Sequence, residues 1–149
     1  MEKKDLLKDV IKHIDIKSYN STELIDAMRN MSFTSRDTAR AADILMMMCK
    51  EKECTNILTL AGSTSAAGCM QVYVDMVRNK MIDVVVATGA SIIDMDLFEA
   101  LGFKHYIGEK ENVIADTTLR DLYIDRIYDT YIDEEELQAC DHTTFEIAN

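Results

Sequence analysis

Proline and tryptophan are absent from the 149 residues, and glycine occurs only five times. Average usage would place roughly seven prolines in a chain of this length, so their absence points to compact connections between helices and strands. Long apolar runs are missing too. The opening stretch, MEKKDLLKDVIKHID, mixes charge with apolar residues too often for a secretory leader, and nowhere do about 18 uncharged apolar residues follow one another. No membrane partner is expected. Cys49, Cys54, Cys69 and Cys140 lack CxxC spacing, which favours structural thiols in a reducing compartment, the cytoplasm, over a disulfide framework or a metal site. Cations are scarce: Lys and Arg number 16 against 27 Asp and Glu, a formal charge of -11. That excess opposes broad contact with a phosphate backbone and excludes nucleic acid as an expected partner. A polycationic small molecule or a basic protein surface suits the same field.

What is present is a chain with 48% hydrophobic residues, long enough for one globular domain with its own core. The pattern predicts an opening helix from Lys4 to about Ile14. A second starts after Asn20, with Asn20 as cap, Glu23 at the third helical position and Tyr19 and Leu24 spaced as a hydrophobic staple. In TSRDTARAADILMMMCKEK, Ala41, Ala42, Leu45, Met48 and Cys49 form a helical face. The run Met46, Met47, Met48 reads as adaptable core packing rather than a soft-metal site. Asn56 to Ala61 reads as a buried strand, followed by a turn from Gly62 to Ser65 and a helix carrying Cys69, Val72, Tyr73, Met76 and Val77. A second buried strand, Ile82 to Thr88, runs into the turn Gly89, Ala90, Ser91 and the helix IIDMDLFEAL. Phe103 to Ile107 is a candidate short strand. The closing helix, DEEELQACDHTTFEIA, has Asp133 as cap, Glu136 placed for a capping box, and Ile132 with Leu137 as a staple.

Two strands joined by a helical crossover imply parallel pairing with a right-handed connection. Both turns then fall at one edge of the sheet, where open α/β sheets hold ligands and helix amino termini attract anions. In ILTLAGSTSAAG, Gly62 permits a tight turn, Ser63, Thr64 and Ser65 offer hydroxyls, and Gly68 allows close helix packing. The loop is not GxGxxG and lacks the lysine of a Walker loop. ATGAS is the second such turn. Asp94 and Asp96 follow it, where a carboxylate either accepts from ribose hydroxyls, pairs with an ammonium, or simply favours the first helical turn. His105 is open to an acid-base role or to packing. His13 and His142 sit in polar helical contexts without a catalytic assignment, and Glu134 to Glu136 read as a solvated helix start.

Four segments, SFTSRDTARAADI, ILTLAGSTSAAG, RNKMIDVVVATGASIIDMDLFEALGFKHYIG and IDRIYDTYIDEEELQACD, occur in the order and character of the deoxyhypusine synthase family. The chain most resembles its shorter deoxyhypusine-synthase-like branch, which includes homospermidine-forming enzymes. The resemblance runs from about Met31 to Ala148, after a helical lead-in over residues 1–30. It implies a Rossmann-like, sirtuin-like parallel sheet flanked by helices, here incomplete, and an oligomer with active sites between paired subunits. The implied reaction is NAD-dependent transfer of an aminobutyl group from spermidine to a lysine of a translation factor or to another amine, through an imine on an enzyme lysine.

By the same resemblance Gly62, Ser63 and Thr64 form the first NAD-contacting loop and Thr88, Gly89 and Ala90 the second. Asp94 stands as the acidic cofactor contact, where family members often carry glutamate, and Asp96 is the alternative alignment. Ala66 replaces a serine of some members. The nucleophilic lysine belongs to the family's second half, and none of Lys50, Lys80, Lys104 or Lys110 lies in a segment like its motif. The expectation is therefore an amino-terminal half-subunit, inactive alone and completed by a second chain, as a hetero- or homo-oligomer with an uncovered sheet face. The alternatives are a non-catalytic regulatory subunit or relic, and a stand-alone NAD-binding module.

Overall fold

The computed structural model describes residues 1–108 and 113–149. Two compact units emerge, one from Met1–Ile14, Leu60–Gln71 and Ala87–Asn149, the other from Asp15–Thr59 and Val72–Val86.

The second of these units holds helices α2 (Thr22–Met28) and α3 (Phe33–Lys50). The Asn20 side chain accepts from the Thr22 N–H at 3.0 Å, but the capping position is Ser21, one residue later than expected. Tyr19 and Leu24 are both exposed and form no staple. Along α3, Ala39 is buried and Leu45, Met48 and Cys49 are half-buried, whereas Ala41, Ala42, Met46 and Met47 face solvent. Core packing by three successive methionines is thus corrected to Met48 alone, because consecutive residues on a helix diverge by about 100°.

β1 (Ile57–Leu60) and β2 (Val84–Ala87) form a two-stranded sheet. The Asn56 carbonyl accepts from Asp83 N–H at 2.9 Å, and the Leu60 carbonyl from Thr88 N–H at 3.4 Å. Partners advance together along both strands, so the pair is parallel, as the crossover implied. The start of the pair is pinned further by Asn56, whose N–H donates to Asp83 Oδ2 at 2.8 Å and whose Nδ2 donates to the Met81 carbonyl at 3.0 Å. The expected burial is not found. Val84, Val85 and Val86 are 42%, 39% and 55% exposed and Ile57 57%. Alternate side chains point to opposite faces, so solvent reaches both faces of β2. Runs this apolar suit a strand sandwiched between layers; the uncovered face anticipated for an incomplete sheet is present.

The other unit is built on an antiparallel sheet in the order β3-β5-β4, from β3 (His105–Ile107), β4 (Ile124–Ile127) and β5 (Thr130–Asp133). The short strand expected at Phe103 to Ile107 is real but pairs antiparallel with β5, His105 opposite Ile132, instead of extending the parallel sheet. Helix α1 covers only Lys3–Leu6. The expected helix to Ile14 is corrected: Val10 bridges to Tyr106, Ile107 N–H donates to the Asp9 carbonyl at 2.7 Å, and Ile11 N–H to the His105 carbonyl at 2.9 Å. Val10, Ile11 and Ile14 are β-branched and favour this extended form. Helix α4 (Met70–Arg78) follows a widened turn at Ser65–Cys69, and α5 (Gly89–Ser91) continues through Ile92–Leu97 into α6 (Phe98–Ala100).

Two apolar clusters fill this unit. Leu6, Leu119, Ile124 and Tyr131 form one, with α7 (Asp116–Asp121) supplying Leu119. Phe98, Ile132 and Cys140 form the other, joined by Leu137 of α8 (Glu134–Ala148), so Ile132 and Leu137 do share a cluster as the staple requires. Asp133 caps α8, accepting from Glu135 N–H at 2.9 Å. Glu136 does not complete a capping box; its carboxylate meets the Lys104 backbone. Lys3 clasps the same helix start, its Nζ 2.6 Å from Asp133 and 2.8 Å from Glu135.

Gly102 ends the helical run. At φ +104° it adopts the left-handed form that glycine takes without steric cost, and Phe103 N–H reaches back to the Phe98 carbonyl at 3.3 Å as a helix terminator does. The reversal lays Phe103 and His105 against the Phe98 ring, with centroids 5.2 and 5.1 Å apart. It also delivers His105 Nδ1 to Glu99 Oε1 at 2.6 Å, while His13 Nε2 of the extended segment takes Glu99 Oε2 at 2.5 Å. His13 is therefore a structural partner, not a residue of a polar helix. Burial alone would raise the Glu99 carboxyl, but hydrogen bonds from His105 and His13 hold it below its ordinary value.

Two stability measurements follow. A carboxylate with a depressed folded pKa stabilises above its unfolded value and loses that contribution as pH falls. Glu99→Ala should cost about 3 kcal/mol at neutral pH, as loss of one partner from a buried ionic group does. The gap to wild type in thermal melts should narrow below about pH 4. Asp125 behaves oppositely: a hydrogen bond with Glu134 and burial push it up to about 6. Its contribution is complete at acid pH and lost as pH rises through that value. Asp125→Asn should thus melt higher than wild type at pH 8, with the advantage disappearing near pH 4.5.

Candidate functional site

Both strands of the parallel pair end in turns that carry hydroxyls, and the structure joins them. Gly62 sits at φ +76°, where the chain leaves β1 sharply. Ser91, 1% exposed, donates from Oγ to the Gly62 carbonyl at 2.9 Å. The same Oγ lies 3.3 Å from Thr88 Oγ1. The first turn after β1 and the turn after β2 therefore occupy one rim, as the two crossover units predicted. Space is left at both glycines: a Cβ at Gly62 or at Gly89 would meet no other atom within 4 Å. Behind the first turn, Ser65 Oγ is buried with no hydrogen-bond partner, a costly state for a hydroxyl that a bound polar group would relieve.

Local sequence explains the turns. Apolar β-formers stop at Ala61 and Ala87, and small residues take over, so no side chain blocks the approach to the backbone. Thr88 is extended, at φ -75° and ψ 158°, and its carbonyl opens the next helical run by accepting from Ser91 and Ile92 N–H groups. A helix start leaves its first N–H groups without intrahelical partners. After the first turn, Gly68 at φ +96° interrupts the helix, and its carbonyl accepts from Ile14 N–H at 2.9 Å. A Cβ at Gly68 would stand 3.0 Å from the Lys12 carbonyl, so glycine is required for the extended amino-terminal segment to pass.

The expected acids lie elsewhere on the same helical run. Asp94 is half-buried, and burial, followed by the charge of Asp141 on α8, pushes its carboxyl up. Asp96 has one buried oxygen, Oδ1, without a hydrogen-bond partner. Neither lines the cavity beside the first turn. That cavity, of about 230 Å³, has Ser63, Thr64, Ala66 and Ala67 on one wall and the tip of the β4–β5 hairpin on the other. Its acid is Asp129 and its aromatic residue Tyr128, neither of which the sequence singled out. None of its described lining residues is a lysine. Lys110 lies outside the described residues. His105 is fully buried against Glu99 and Phe98, the packed alternative, and His142 is exposed beside Glu146 at 3.2 Å. Among the described residues no group of His, Cys, Asp and Glu could hold a metal ion, and no helix is long and apolar enough to cross a membrane.

The deoxyhypusine synthase family model matches residues 23–149. The chain is 66% identical over 148 residues to a deoxyhypusine synthase-like protein of Caulobacter vibrioides, covering 99% of this chain and 40% of that protein. A protein of the same description from Coxiella burnetii is 60% identical over 147 residues, 99% of this chain and 41% of the relative. One from Chlorobaculum tepidum is 53% identical over 149 residues, 100% of this chain and 42% of the relative. The chain thus spans about two fifths of the length of the curated relatives it matches. With an α/β architecture, a parallel strand pair whose turns share a rim, and a family match across most of its length, this chain belongs to the deoxyhypusine synthase family.

Proposed function

We propose that this chain supplies the cofactor-binding half of a deoxyhypusine synthase-like transferase, with a Rossmann-like sheet completed by a second chain. The reaction is NAD-dependent transfer of the aminobutyl group of spermidine to an acceptor lysine or amine. The observation that carries this reading is the Ser91 hydroxyl on the Gly62 carbonyl, which holds two open, glycine-bearing turns at one end of a parallel strand pair. The residues present fit a dinucleotide. Gly62 and Gly89 leave the backbone approachable, and the buried, unpartnered Ser65 Oγ marks the first turn as incomplete without a polar occupant.

In this arrangement Gly62, Ser63 and Thr64 bind one side of the cofactor, and Thr88, Gly89 and Ala90 the other through backbone N–H groups and a hydroxyl. Asp94, or Asp96 as the alternative acid, accepts from a hydroxyl of the ligand. NAD, when bound, supplies the hydride acceptor. The nucleophilic lysine comes from the second chain, which also covers the exposed valines of β2. A half-subunit accounts for the bare strand faces of a chain that spans about two fifths of the length of its relatives.

The direct test is reconstitution. The chain should be mixed with the portion of the Caulobacter relative that it does not match, then supplied with NAD, spermidine and 1,4-diaminobutane or a lysine-bearing acceptor. Turnover is expected from the mixture only. A complex that binds NAD but never turns over favours the regulatory reading, and turnover by the chain alone refutes the division of labour. Within that complex, Ser91→Ala should cost about 1–2 kcal/mol of stability and weaken NAD roughly tenfold by calorimetry, because the two turns lose their common register.

A further inference from the structure

Sulfur gathers at the end of α3, in the unit that holds α2 and α3. Met47 is 61% exposed and Met48 half-buried, so thioethers stand both at the surface and beneath it. The chain then doubles back. Glu51 N–H donates to the Met47 carbonyl at 3.0 Å, closing the last helical turn, and Cys54 N–H donates to the Glu51 carbonyl at 3.2 Å, closing a reverse turn. Glu53 N–H reinforces that turn by donating to Glu51 Oε1 at 3.3 Å. Cys54 is thereby returned to the helix end. Met47 and Met48 leave the helix about 100° apart, yet both border one open cavity of about 520 Å³ together with Lys50, Glu51 and Cys54.

Cys54 is half-buried, and its Sγ donates to Asn56 Oδ1 at 3.2 Å. Asn56 is 5% exposed and fixed by its bonds to Asp83 and Met81, so the sulfur is anchored to the start of the parallel pair. One ligand is thus preset and two are adaptable, since a methionine side chain turns about three bonds and its sulfur is polarizable. The cavity is much larger than an ion, given that a water takes about 30 Å³ in the liquid. Closure of the thioethers onto a bound ion takes up that room.

Thiolate and thioether are soft donors that select Cu(I), whereas Mg, Ca and Mn take oxygen. The His, Cys, Asp and Glu groups that offer no metal site among the described residues leave thioethers aside. Charge points the same way. A monovalent ion that replaces the thiol proton leaves the net charge of the site unchanged, and a divalent ion adds one positive charge beside Lys50. We infer that the end of α3 is a soft-metal site, in which Cys54 Sγ and the sulfurs of Met47 and Met48 bind one Cu(I) ion. The thiol proton, donated to Asn56 Oδ1 in the free protein, passes to solvent as the sulfur–copper bond forms. Copper stays monovalent throughout, so no oxidant or reductant takes part. The site shares no residue with the turns at Gly62 and Gly89 and is independent of the nucleotide reading.

The test is anaerobic titration of the chain with Cu(I) in competition with a colorimetric Cu(I) chelator, with the sulfur-to-copper charge-transfer absorption in the ultraviolet as a second readout. One ion per chain is expected from wild type. Cys49→Ser and Cys69→Ser should leave that ion in place, which separates the site from other thiols. Cys54→Ser should remove the charge-transfer band and weaken Cu(I) about a hundredfold, while Met47→Leu with Met48→Leu should keep the band and weaken it about tenfold. Leucine conserves the volume of methionine, and melting temperatures of the variants check that α3 persists. Met47→Leu alone, at an exposed position, should keep the fold and weaken Cu(I) several-fold. The assignment is overturned if wild type holds no Cu(I) against the chelator, if Cys54→Ser holds it as tightly as wild type, if the methionine variants bind unchanged, or if Zn(II) at equal concentration displaces the copper.

Discussion

Glu99 is the carboxylate on which the first unit closes. Its two oxygens are taken by His13 and His105, 86 and 6 residues away, so a single side chain ties the extended amino-terminal segment and β3 to the helical run that begins at the second turn. Hydrogen bonds from the same segment to the β3 backbone and to Gly68 carry the restraint to the helix that begins at the first turn. The rim on which both turns meet is therefore held from behind by charge-assisted bonds in a largely buried setting, where such bonds are strong and their loss is expensive. Ser91 then sets the finer register between the turns. The proposed ligand site, made of backbone and small side chains, has little packing of its own, and it inherits its shape from this support.

The acidic composition takes on a location in this arrangement. Much of the excess is spent on local tasks: Asp133 caps α8 and, with Glu135, holds Lys3; Glu134 shares a hydrogen bond with Asp125; Glu99 binds two histidines. The cavity itself has one carboxylate and no cationic side chain among its described lining residues.

Where the sequence could be read, the signal was local. The strands β1 and β2 announce themselves because β-branched apolar runs stop abruptly at glycine-containing turns, and their parallel pairing follows from the crossover between them. Asp133 and the start of α8 are legible for the same reason: a capping residue and its partner N–H groups are neighbours in the chain. The β4–β5 hairpin escaped because Tyr128-Asp129 carries no glycine or asparagine at a position that normally demands one, so nothing marked a turn. The extended segment after α1 was mistaken for helix because its charges and apolar residues also fit a helical period. His13 reads as a residue of a polar helix, since its meeting with Glu99 depends on the left-handed turn at Gly102 and on β3 pairing with β5. The acid nearest the first turn was missed for a related cause: it arrives from a different sheet, more than sixty residues downstream.

The three consecutive valines of β2 carry one last implication, for the life of the molecule in a cell. A strand wetted on both faces is a place where chaperones hold and proteases sample, and where like chains associate. The abundance of such a polypeptide would be governed less by its own folding than by the supply of whatever shields that strand. Under the half-subunit proposal, synthesis of the second chain in step with this one would act as a dosage control, keeping the two in fixed proportion without any dedicated regulator.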